Sequence, residues 1–153
     1  MAAGLTVGPN AIAALADFLD ARLGDDVARS SDRRTVLLDA VVTARGVSPD
    51  LVDAMEQGGP YGMGWPAPRI AAGPMRVMNV DIVGKDHVRA VMAGDDGARL
   101  KTVAFRQAET PLGQALLTAP RDRRLWAAGR IKRDDWSGRS QAEMHVEDIA
   151  WAD

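Results

Sequence analysis

A chain of 153 residues, 46% hydrophobic and 26% charged, can build one domain, or one domain with a fragment of another. No apolar run approaches the ~18 residues of a membrane span. Residues 1–7 lack the basic start and apolar stretch of a secretory signal, and the absence of cysteine removes disulfides, zinc fingers and thiol catalysis. A cytoplasmic protein with no membrane partner is expected. The net charge of −2 hides a segregation. Residues 1–68 carry five Arg against nine acids (−4), residues 69–139 carry fourteen Arg and Lys against eight acids (+6), and the last fourteen residues carry four acids and no base (−4). A basic middle between acidic ends is the footprint of a local polyanion site.

In chain order, residues 1–10 (MAAGLTVGPN) read as a short buried strand followed by a turn. Pro9 suits the first turn of a helix, and Ile12, Leu15, Ala16, Leu19 and Leu23 recur at helical spacing, with Gly24 as the expected stop. Residues 35–43 (TVLLDAVVT) are rich in β-branched side chains and predict a strand. Ser48-Pro49 opens a helix to about Gln57, Ser as the cap and Pro at the first position. Residues 58–68 (GGPYGMGWPAP) hold four Gly and three Pro, which makes a kinked connector. Beyond it come short strands at 75–83, 87–93 and 99–106, a short helix at 110–118, and strands at 125–133 and 142–149. Three strands, a helix and a two-stranded hairpin is the order of a five-stranded OB-type barrel. The predicted fold is mainly β with a few helices. Its expected divisions are 1–30, a connector at 31–68 and the barrel at 69–153.

Little in the chain suggests catalysis. His87 and His145 are far apart and lack partners at metal-ligand spacing. The pairs Asp25-Asp26, Asp95-Asp96 and Asp134-Asp135 fall in turns, where Asp bonds locally to the backbone. Gly62-Met63-Gly64 resembles the start of a dinucleotide fingerprint, but Trp65 and Pro66 stand where its helix should open. No catalytic residue, metal site or cofactor is expected. A binding surface fits better. Alternation puts Leu125, Ala127, Gly129 and Ile131 on one face of a strand and Trp126, Ala128, Arg130 and Lys132 on the other. It likewise sets Val88, Ala90 and Met92 opposite His87 and Arg89. The two loops that flank the binding face of an OB barrel would be Gly84-Lys85-Asp86-His87 and Trp136-Ser137-Gly138-Arg139, each with a cation and a ring. Cations grip the phosphates of a single strand and flat rings stack on its bases. The candidate nucleic-acid residues are therefore Lys85, Arg89, Arg130, Lys132, Trp136 and Arg139. Trp136 either stacks on a base or caps the barrel, Trp126 and Trp151 suit core or edge packing, and Trp65 either lies on the barrel or faces another domain.

The run Gly59-Pro60-Tyr61-Gly62-Met63-Gly64-Trp65-Pro66-Ala67-Pro68, then Val83-Gly84-Lys85-Asp86-His87-Val88, then Trp136-Ser137-Gly138 and Glu147-Asp148-Ile149, resembles the C-terminal region of RecJ single-stranded-DNA exonucleases, of the DHH phosphoesterase superfamily. Met1-Ala2-Ala3-Gly4-Leu5-Thr6-Val7 is similar to the tail of the G-G-H-x-x-A-A-G segment of the adjoining DHHA1 domain. Trp65 stands where that family usually has Asn, and the Gly-Gly-His half of the motif is not in the chain. The resemblance implies that residues 1–30 are the end of a DHHA1 domain and that 69–153 form an OB domain binding single-stranded DNA. It also implies a parent enzyme that digests single-stranded DNA from the 5′ end in recombination and repair, with manganese or magnesium held in a DHH domain outside this chain. The implied partners are single-stranded DNA, the missing catalytic domains and a single-stranded-DNA-binding protein. The rival expectation is an OB module that docks such a protein, or the catalytic core, without touching DNA.

Overall fold

The computed structural model describes residues 4–32, 35–134 and 141–152. The chain divides into two compact units, Met1–Val36 and Leu37–Asp153. In the first, residues 4–8 form no regular element, so the strand expected there is absent from its described part. A 3₁₀ turn, Pro9–Ala11, leads into α1, Ile12–Asp32. The helix runs through Gly24, the expected stop. Glycine inside a helix costs about 1 kcal/mol against Ala but does not by itself end it. Ile12, Phe18, Leu19, Leu23 and Val27 are exposed along α1. Among the described residues no helix is long and apolar enough to cross a membrane.

The second unit is built around one sheet. Its elements are β1 (Ala40–Val42), α2 (Pro49–Glu56), β2 (Ile70–Val83), β3 (His87–Gly94), β4 (Arg99–Ala104), α3 (Pro111–Leu117), β5 (Leu125–Asp134) and β6 (Gln141–Trp151). The strand order is β1-β2-β3-β4-β6-β5, and a further pairing of β5 with β2 closes five of the strands into a ring. Strands β4 and β6 run parallel, as do β1 and β2; the other pairs are antiparallel. This is the expected mainly-β, OB-type arrangement.

Both short helices start on the caps that the sequence carries. Ser48 Oγ accepts the N–H of Leu51 at 3.2 Å and Thr110 Oγ1 that of Gly113 at 3.3 Å, each with Pro at the first helical position. The strand boundaries moved more. Only Ala40–Val42 of 35–43 is strand, because that segment finds a ladder partner only along Ile70–Ala72 of β2. Conversely, β2 begins five residues before Met75. Pro74 has no N–H to give a ladder, and it sits where the register between β2 and β5 shifts, between Ala72 and Met75. The long β2 can therefore bend, pairing with β1 and β5 through its first half and with β3 through its second.

Inside the ring, alternate residues interlock. Ile70, Met75, Met92, Leu100, Leu125 and Met144 are fully buried, joined by Leu116 of α3 and Val52 of α2. Helix α3 packs against β2 and β3, and α2 against β5 and β6. Arg133 of β5 pairs with Asp53 of α2, tying that helix to the strand. Residues 37–68 thus belong to the same compact unit as the ring.

Candidate nucleic-acid interface

The alternation that fills the ring leaves an outward row. On β4, Leu100, Thr102 and Ala104 face the interior, so by alternation Arg99, Lys101 and Val103 point the other way, Val103 itself being buried. The register sets Arg89 of β3 beside Val103, Val103 beside His145 of β6, and His145 beside Arg130 of β5. One row, Arg89–Val103–His145–Arg130, thus crosses four strands over about 14 Å, three strand spacings. Phe105 continues the outward positions of β4 just beyond the strand and is 47% exposed. Its ring stands edge-to-face between two imidazoles: His87 at 5.1 Å between centroids and 67°, His145 at 4.8 Å and 77°. An apolar ring open to water, next to a row with an arginine at each end, offers a base a face to stack on and its phosphates a partner.

The cations differ in how available they are. Lys85, at the tip of the turn between β2 and β3, is exposed and has no ion-pair partner among the described residues. Arg89 reaches Asp81 Oδ2 at 3.3 Å. Arg130 lies 3.4 Å from Glu147 Oε1, while Glu147 Oε2 receives the Arg69 Nε–H at 2.6 Å. The Nε of Arg130 is buried without a hydrogen-bond partner among the described residues. Lys132 is exposed and borders a small pocket with Arg130, Val52, Met55 and Tyr61, so α2 and the connector lie along this end of β5. Trp136 and Arg139 lie outside the described residues. Of the six candidates, then, the fold sets Arg89 and Arg130 in one row, Lys132 next along β5 and Lys85 on the turn leading to His87.

Toward the other end of β4 the face becomes self-neutralised. Lys101 Nζ donates to Asp134 Oδ2 at 2.7 Å and lies 3.1 Å from Glu143 Oε2, whose other oxygen is 3.1 Å from His145 Nε2. Asp134 is only 6% exposed. Its hydrogen bond, followed by Glu143, raises the Lys101 ammonium above the ordinary lysine value despite partial burial. Beyond Lys101 a groove of about 440 Å³ runs between Val91, Arg99 and Lys101 on one side and Val47, Ser48 and Pro49 on the other.

The remaining polar clusters have structural partners. Asp95 accepts from Arg124 at 2.8 Å and from Arg76 at 3.0 Å; the Arg124 bond, above all, holds its carboxyl below the usual range. Asp96 accepts the Ala98 N–H at 3.0 Å and is lowered chiefly by that bond. Among the described residues no three His, Asp or Glu side chains gather as metal ligands would. In the connector, Trp65 Nε1 donates to Gly58 O at 2.9 Å and the Tyr61 hydroxyl donates to Met55 O. These bonds hold a turn whose Met63 is fully exposed and whose Trp65 is 63% exposed. Trp151 lies under the Arg123 guanidinium, 4.6 Å from the ring centroid.

Sequence reasoning missed Phe105. The signal was present: alternation across 99–106 puts Leu100, Thr102 and Ala104 inward, which leaves a large apolar ring at an outward position. Strand alternation places the two histidines outward, as solvated or hydrogen-bonded rings, and gives no sign of the ring between them.

The model of the RecJ OB domain family matches residues 38–148. No curated protein sequence matches the chain. Among solved structures, a chain in the crystal structure of the S. pombe Stn1-ten1 complex superposes with a TM-score of 0.45 at 17% identity, over 60% of this chain and 63% of that one.

Proposed function

From the premise that this chain belongs to the RecJ OB domain family, we propose that it is the single-stranded-DNA-binding C-terminal portion of a RecJ-like 5′–3′ exonuclease of recombination and repair. In this reading it holds the strand, while a metal-dependent DHH domain, reached in the same parent protein, cuts it. Residues 1–30 are then the end of a DHHA1 domain and the ring is the OB domain. One observation carries the reading: Phe105 stands half-exposed between His87 and His145, next to the row in which Arg89 pairs with Val103 and Arg130 with His145. Lys85, Lys132, Trp136 and Arg139 are proposed to extend the contact along the flanking loops. The test is titration of a fluorescent oligonucleotide at two salt concentrations. Single-stranded DNA is expected to bind better than duplex, whose bases hide their faces, and its affinity to fall steeply with salt. Equal affinity of wild type and Phe105→Ala for the single strand would sink the reading.

A second reading, a module that docks a protein partner, is favoured by the rigidly anchored turn that carries exposed Met63 and Trp65. It takes first place if DNA binding proves absent at low salt.

A further inference from the structure

His87 Nδ1 stands between two groups that ask opposite things of it. The backbone N–H of Arg106 donates to it at 2.9 Å, which requires a lone pair there and a neutral ring with its proton on Nε2. Asp86 Oδ1 lies 3.1 Å from the same nitrogen, where a carboxylate oxygen is a partner only if Nδ1 carries a proton. The two bonds exclude each other. Each belongs to one protonation state of the ring.

The loop held by the first bond is the one that presents Phe105. Arg106 has φ 58°, a backbone conformation that residues with a β-carbon rarely adopt, so its neighbours must keep it there. Two bonds from the turn between β2 and β3 are in place to do so: Arg106 N–H to His87 Nδ1, and Ala108 N–H to Asp86 O at 3.0 Å. Phe105 sits directly before Arg106, its ring edge-to-face with His87.

We propose that His87 is a positioning residue, a proton-sensitive latch between the turn before β3 and the loop after β4. Neutral, it holds Arg106 and with it the Phe105 ring. Protonated, it exchanges Arg106 for the Asp86 carboxylate, and the loop loses one of its two ties. The charged and titratable groups that face the ring are Asp86 on its own turn, Arg106 on the opposite loop, His145 across Phe105, and Lys85 and Arg89 two residues to either side. Only Asp86 among them attracts an imidazolium.

The latch is tested by hydrogen exchange at the Arg106 amide of the whole chain, corrected for intrinsic rates, between about pH 8 and about pH 5, the interval in which imidazoles change charge. His87→Asn keeps an acceptor at the δ position that takes no proton, and His87→Ala removes it. Protection in wild type is expected to fall roughly two- to tenfold on acidification. His87→Asn should keep its protection at both pH values, and His87→Ala should lack it even at pH 8. An Arg106 amide that responds to pH as strongly in His87→Asn as in wild type would overturn the latch. So would full protection in His87→Ala at pH 8. The consequence for nucleic acid rests on the function proposed above and is read separately, in oligonucleotide titrations at pH 8. There, His87→Ala should bind roughly two- to tenfold more weakly than wild type, and more weakly than His87→Asn. If the amide behaves as expected while neither His87→Ala nor Phe105→Ala changes DNA affinity, the latch stands and the nucleic-acid reading falls.

Discussion

The outward face of the ring has two halves that use similar residues differently. Around β3 and the end of β4, Phe105 stands open between two imidazoles, and Lys85 is exposed without a carboxylate partner among the described residues. Around β5 and β6, Arg130 shares Glu147 with Arg69, Lys101 is held by Asp134 and Glu143, and α2 and the connector lie alongside. Each half holds one exposed cation without an ion pair among the described residues, Lys85 and Lys132, and Arg89 faces Asp81 as Arg130 faces Glu147. The halves differ in the open ring of the first and in the further neutralised cations of the second, Arg69 and Lys101, each of which must give up a carboxylate to take a phosphate. The difference teaches that an electrostatic footprint read from net charge overstates the surface that a polyanion can use.

Four substitutions test that contrast. The largest effect is expected from Phe105→Ala, a loss of about 1–3 kcal/mol in single-strand affinity, roughly 5- to 150-fold. Thermal stability should stay near that of wild type, since the ring is half-exposed. A drop in stability that accounts for the lost binding would erase the distinction between the halves.

Lys101→Met probes the neutralised half and should act on folding, not on DNA. Removing the ammonium from a nearly buried Asp134 should cost roughly 1 kcal/mol, once screening of a one-third-exposed side chain is allowed for. The folded state raises the Lys101 value. Its contribution is therefore complete below the unfolded lysine value, about 10.4, and is lost as pH rises through the folded one. Denaturant unfolding should show the gap between wild type and variant at neutral pH and its closure in strong base. A gap that widens with pH contradicts the assignment.

Glu147→Gln should do the reverse of a binding defect. Relieving Arg69 and Arg130 of a shared carboxylate is expected to tighten single-strand binding by up to about fivefold, the scale of an exposed ion pair. Weaker binding would mean that Glu147 orients these arginines for their ligand. The smallest effect is expected from Lys85→Ala, read as a decrease of about one in the slope of log affinity against log salt. An unchanged slope removes the turn between β2 and β3 from the interface.

Much of the ring was legible in the sequence because strand alternation and helix caps are local signals. Val88, Ala90 and Met92 face inward against Arg89, and Leu125, Ala127 and Ile131 against Arg130 and Lys132, as alternation requires. Ser48-Pro49 and Thr110-Pro111 start helices where a side-chain oxygen and a missing N–H suit a first turn. What failed depended on partners distant in sequence. Residues 35–43 have strand composition along their whole length, yet only the three opposite Ile70–Ala72 pair. The strand expected from residue 75 begins at Ile70, and Pro74 lies within it, at a break between two pairings. The ring cluster required knowing that β4 and β6 lie side by side, a parallel pairing that brings His145 to Val103 across more than forty residues. The ion pairs of Arg130 and Lys101 were hidden for the same reason.

Gly129 draws these observations to one point. It lies on β5 at the register shift beside β6, and a methyl group built on it would run into the carbonyl oxygen of His145. The two backbones approach too closely for any side chain, directly beneath the imidazole that flanks Phe105. In a saturation library selected for DNA binding, this position should tolerate no alternative, although its residue has no functional group to contribute. Its neighbours Ala128 and Arg130 should accept several. A screen that scored positions only by the chemistry of their side chains would pass over the residue on which the spacing of the whole face depends.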